Sequence, residues 1–126
     1  MILEQNQKFV LLVEDNNAIR EALVWALEYS GYSVVTVRNG QEALTFLEDA
    51  PLPRVILLDL MMPVLDGIEF RERKKSIQRI KDIPIIIASA KTNLEKIERM
   101  PHESFMSKPF ELNDLLSVIK KYYEPE

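Results

Sequence analysis

Short apolar runs alternate five times with segments of helical period, and this rhythm limits the chain to few folds. "KFVLLVE" (residues 8–14) is a near-continuous hydrophobic run, as expected of a strand covered on both faces. "NNAIREALVWALEYS" follows, with Ile19, Ala22, Leu23 and Ala26 on one helical stripe and Gly31 placed to end the helix. "YSVVTV" (32–37) is β-branched and reads as a strand. Asn39 and Glu42 then form a capping signal for a helix carrying Ala43, Leu44 and Leu47, closed by Pro51 and Pro53. "RVILLD" (54–59) is a third strand, with a helix from about Asp66. "PIIIAS" (84–89) is a fourth, followed by a charged helix expected over Thr92–Arg99, before Pro101. "SFMSK" (104–108) is a short fifth strand. The last helix carries Leu112, Leu115, Leu116, Ile119 and Tyr122. Five strands alternating with five helices predict right-handed crossovers and a parallel sheet with helices on both faces, an α/β fold.

In such sheets ligands bind beyond the carboxyl ends of the strands, where strand order reverses. The first run ends in Glu14-Asp15, the third in Asp59, the fourth in Ser89-Ala90 and the fifth in Lys108-Pro109. The second and fourth supply no acid there. Two carboxylates about 4 Å apart repel by roughly 4 kcal/mol at an effective dielectric of 20. A third acid adds to that cost, and one lysine cannot balance it. A divalent cation can, and hard oxygen ligands favour Mg2+ over zinc. Magnesium shares its coordination positions readily with a phosphoryl group, which points to phosphate chemistry. Asp59 can then act as a nucleophile and form an aspartyl-phosphate. Lys108 would offset charge on the phosphoryl oxygens, and the Ser89 hydroxyl could donate to one of them.

The acid pair, the central Asp59 followed by "MMP" and "DG", the Ser-Ala and the "KPF" together resemble the receiver domain of a two-component response regulator, of the stand-alone, chemotaxis-regulator-like type. The likeness covers essentially the whole chain, residues 1–126, as one receiver with no output domain. Asp15 to Asp59 is 44 positions and Asp59 to Ser89 is 30, both usual for receivers. The resemblance implies a flavodoxin-like (βα)5 fold with strand order 2-1-3-4-5, an order the general rule for doubly wound sheets already attaches to a chemotaxis receiver. It implies that Glu14, Asp15, Asp59 and the Met61 backbone carbonyl hold Mg2+. It further implies Asp59 as phosphoacceptor, Ser89 as the switch hydroxyl, Lys108 as the phosphate-pairing lysine and Phe105 as an aromatic that changes rotamer on activation. The partners implied are a histidine kinase or histidine phosphotransfer protein and a downstream protein target. Two departures stand out. Ser89 to Lys108 is 19 positions, about three short of many receivers, and "RMPHES" replaces the glycine-containing turn usual before the fifth strand.

The remaining sequence narrows the alternatives. The 126 residues suit one domain with a sizeable core. No apolar run approaches the eighteen or so needed to span a membrane, and "MILEQNQKF" lacks a basic start and cleavage site. With no cysteine there is neither a disulfide framework nor a cysteine zinc site, and a cytoplasmic setting is the simplest expectation. A net charge of −4 argues against general affinity for nucleic acid or anionic membranes. The local exception, "RERKKSIQRIKD" (71–82), has six basic and two acidic side chains and reads as a solvated helix face. His102, the one histidine, reads as an exposed loop residue. A phosphatase of the haloacid dehalogenase type also ends a strand in aspartate, but needs a proton donor two residues on, where Met61 stands. Three glycines allow neither a P-loop nor a dinucleotide fingerprint. A receiver-like module that docks a partner without phosphorylation is the remaining alternative.

Overall fold

The computed structural model describes residues 7–49, 51–59 and 65–124. Its strands are β1 (Val10–Val13), β2 (Val34–Val37), β3 (Val55–Asp59), β4 (Ile85–Ala90) and β5 (Glu103–Lys108). All pair in parallel, in the order β2-β1-β3-β4-β5. The helices are α1 (Asn17–Tyr29), α2 (Gly40–Asp49), α3 (Leu65–Lys75), α4 (Lys91–Leu94) and α5 (Leu112–Tyr123).

Successive residues of the three inner strands face opposite sides of the sheet, so each strand feeds two cores. Leu11, Val13, Ile56, Leu58, Ile85 and Ile87 pack with Ala43 and Leu47 of α2, Phe70 of α3 and Leu94 of α4. Val10, Leu12, Val55, Leu57 and Ile86 pack instead with Leu27 of α1 and Leu115, Ile119 and Tyr123 of α5. That double burial is why the runs read as continuous rather than alternating hydrophobicity.

The local signals act where the sequence places them. Asn16 caps α1 by accepting from Ile19 N at 2.9 Å. Asn39 accepts from Glu42 N at 2.9 Å, and the Glu42 carboxylate accepts from Arg38 N at 2.7 Å. Gly31 ends α1 at φ 96°, with its N–H on Glu28 O and that of Tyr32 on Leu27 O, the paired bonds of a left-handed helix stop.

Two expectations need correction. The helix predicted over Thr92–Arg99 is only Lys91–Leu94; beyond it the N–H groups of Lys96 and Ile97 bond three residues back, in tight turns. Tertiary bonds then take the backbone that a longer helix would use: Arg71 Nη2 donates to Glu98 O at 2.7 Å, and Met100 N donates to Glu103 Oε1 at 2.8 Å. The basic segment 71–82 is not simply a solvated face. Arg71 and Lys74 are buried, Arg71 paired with Glu103 and Lys74 donating to Lys81 O at 3.0 Å. Burial pushes the Lys74 ammonium below its usual pKa.

Candidate phosphoacceptor site

The strand order reverses between β1 and β3, and the acids lie at that point. Asp59 is the last residue of β3, in register with Ala88 of β4, and only 6% exposed. Glu14 follows β1 directly and is 1% exposed, while Asp15 faces solvent. Ser89, 1% exposed, sits one residue before the end of β4. Lys108 closes β5, in register with Ala90, and its ammonium forms an ion pair with Asp59 Oδ1. Five of the residues read from the sequence thus gather at one edge. Phe105 lies three pairs further back in β5, partly buried against the α2–α3 core. Met61 lies outside the described residues.

The electrostatics of the edge are unbalanced. Glu14 Oε2 accepts from Asn16 N at 2.8 Å, but Oε1 is buried with no hydrogen-bond partner. Asp59 Oδ1 has the Lys108 charge beside it yet receives no aligned hydrogen bond. Burial first, and the neighbouring Asp59 carboxylate second, push the Glu14 carboxyl up to about 8. A buried acid shifted that far marks a place where charge is missing. Among the described residues no three carboxylate or imidazole groups converge closely enough to hold a metal ion by themselves. Glu14 and Asp59 are a pair, with the exposed Asp15 at its margin. Two hard oxygen ligands with an orphaned lone pair suit Mg2+, which keeps several of its own waters.

A family model described as the response regulator receiver domain matches residues 10–120. The chain belongs to that family. Its relatives include the response regulator receiver protein CpdR of Brucella abortus, 38% identical over 115 residues, or 90% of this chain and 95% of that one. Response regulators of the MprA type also match, and the chain spans about half their length (48% for that of Mycolicibacterium vanbaalenii). The signal receiver domain of a histidine kinase from Syntrophus aciditrophicus superposes with a TM-score of 0.80 at 30% identity, over 93% of this chain and 90% of that. The receiver domain of the sensor histidine kinase PA1611 from Pseudomonas aeruginosa gives 0.77 at 25%, over 92% and 97%; its structure has a magnesium ion coordinated in the active site cleft. This receiver therefore has the fold and the family of a two-component signalling switch.

One contact at the receiver's site escaped the sequence reading. Asn93 of α4 donates from Nδ2 to Ser89 Oγ at 3.2 Å. An asparagine four residues after a strand-end serine, where the chain enters a helix, was the available signal.

Proposed function

We propose that this receiver takes a phosphoryl group from a phosphohistidine onto Asp59 and signals through the protein contacts that follow. The observation that carries this reading is Asp59 at the end of the central strand, buried, with the Lys108 ammonium on one oxygen and Glu14 beside it.

A carboxylate oxygen of Asp59 attacks phosphorus; the O–P bond forms as the P–N bond breaks, and its electron pair stays on the leaving imidazole nitrogen. Lys108 remains at the site and pairs with the phosphoryl oxygens as charge builds on them. Ser89, one residue past the Asp59–Ala88 pair, supplies an O–H donor to the same group. Glu14, Asp15 and Asp59 would hold Mg2+, with the Met61 carbonyl as a further expected ligand. When bound, the ion neutralises the carboxylates and the transferring oxygens. The chain is then phosphorylated once and reset, so its chemistry serves a switch rather than turnover. Phosphorylation shifts a pre-existing equilibrium in which Ser89 turns toward Asp59 and Phe105 moves into the space left. We place the domain on the cytoplasmic side, with a histidine kinase or phosphotransfer protein upstream and a protein target downstream. The absence of any helix long and apolar enough to cross a membrane among the described residues accords with this.

The test is intact-mass measurement after incubation with Mg2+ and acetyl phosphate. One added phosphoryl group is expected, labile to hydroxylamine and missing in Asp59→Asn. An unchanged mass would leave docking without phosphorylation as the better reading, and continuing release of phosphate from phosphate esters would indicate a phosphatase.

A further inference from the structure

Both groups proposed to move on phosphorylation are held by one short stretch of chain. Asn93 holds the Ser89 hydroxyl at 3.2 Å, and no hydrogen bond joins that hydroxyl to Asp59. Six residues on, the guanidinium carbon of Arg99 stands 4.9 Å from the centroid of the Phe105 ring. Phe105 also packs against the core that α2 and α3 share. The far end of the stretch is anchored, because Arg71 donates to Glu98 O and forms a bidentate pair with Glu103, at 2.6 and 2.8 Å.

We propose that residues 91–99 are a latch favouring the unphosphorylated arrangement, with Asn93 and Arg99 as its positioning residues. The proposal rests on the function proposed above and adds to it the regulation of the same site. Ser89 Oγ accepts from Asn93 here, so the two arrangements compete through position: rotation about the Cα–Cβ bond that carries Oγ toward a phosphoryl oxygen on Asp59 takes it away from the Asn93 N–H. Phe105 in turn leaves the guanidinium face when it moves inward, giving up a cation–π contact. Phosphorylation and the latch therefore compete for the same two side chains. By linkage, whatever weakens one strengthens the other. The stretch suits this role because its helix has only four residues and continues in tight turns, so few backbone bonds resist its displacement. Arg71 holds Glu98 O within the stretch, which confines displacement to the residues before it and keeps Arg99 in place while Phe105 leaves its guanidinium.

The test labels the chain with fluorophenylalanine and assigns the Phe105 signal as the one lost in Phe105→Leu. In the unphosphorylated protein, Asn93→Ala and Arg99→Ala should each raise the minor Phe105 population about two- to fivefold, and the double variant by about the product. The midpoint for beryllofluoride binding with Mg2+ should fall by the same factors. Melting temperature reports folding, and Asn93→Ser and Arg99→Lys replace any variant that does not fold. Unchanged Phe105 populations and midpoints in folded variants would overturn the latch. Failure of the wild type to accept phosphate or beryllofluoride would instead overturn the function. The fluorine populations, read without either ligand, still decide the latch.

Discussion

Glu14 is the residue whose environment and chemistry conflict most. Its buried carboxyl is pushed from 4.5 up to about 8, so the folded protein retains a proton that the unfolded chain has already released. An acid with a raised folded pKa stabilises the native state fully below the unfolded value, and that contribution is lost as pH rises through the folded value. In metal-free solution, stability should therefore decline between pH 4.5 and 8, seen as a melting temperature that falls across that range. Mg2+ favours the ionised form, so the rise in melting temperature it produces should be larger at pH 8 than at pH 5. Glu14→Gln should flatten both dependences; a response that survives this change would remove Glu14 from the metal set. His102 shows a different residue-scale effect. It occupies the turn before β5 at φ 66°, a left-handed conformation in which glycine is usual and histidine is tolerated. Its imidazole lies 3.3 Å from Asp82, so the predicted loop residue is exposed but not isolated.

Among the elements, the stretch from α4 to β5 is the one that sequence periodicity misjudged. A charged segment running up to Pro101 suggested a helix of eight residues, yet only four residues are helical, because a side chain far away in sequence captures the backbone. Arg71 on α3 and Glu103 at the start of β5 have side chains 5% and 3% exposed. A buried pair of this kind adds little over well-packed apolar residues, but losing one partner leaves an uncompensated charge. Arg71→Ala should cost about 3–5 kcal/mol in chemical denaturation. Glu103→Gln in the Arg71→Ala background should recover part of that, which a role confined to packing of the Arg71 stem would not produce. Arg71→Lys should restore the variant only partly, since one ammonium cannot reproduce the forked contact.

For the molecule as a whole, stability is distributed unevenly, and the site lies on the boundary. β1, β3 and the first five residues of β4 are buried throughout, between two cores. Segment 91–99 is mostly exposed and short of regular hydrogen bonds. Amide hydrogen exchange should be slowest at Leu11, Leu57 and Ile86 and faster by several orders of magnitude at Glu95–Arg99. Equal protection in the two regions would remove the physical basis for the latch. Asp59 and Ser89 are thus fixed by the rigid part of the molecule, while Asn93 reaches Ser89, and Arg99 reaches Phe105, from the weakly held part.

The sequence alone determined the order and type of the elements, because strands buried on both faces and helices buried on one leave different hydrophobic periods. It also placed Glu14, Asp59, Ser89 and Lys108 at one edge, because each ends or directly follows a strand run and a parallel sheet brings such ends together. Only the tertiary structure decided the extent of α4, the burial of Arg71 and Lys74, and the hold of Asn93 on Ser89. Those features arise from charges and backbone groups far apart in the chain, whose pairing in a low-dielectric interior outweighs the local preferences that a linear pattern records.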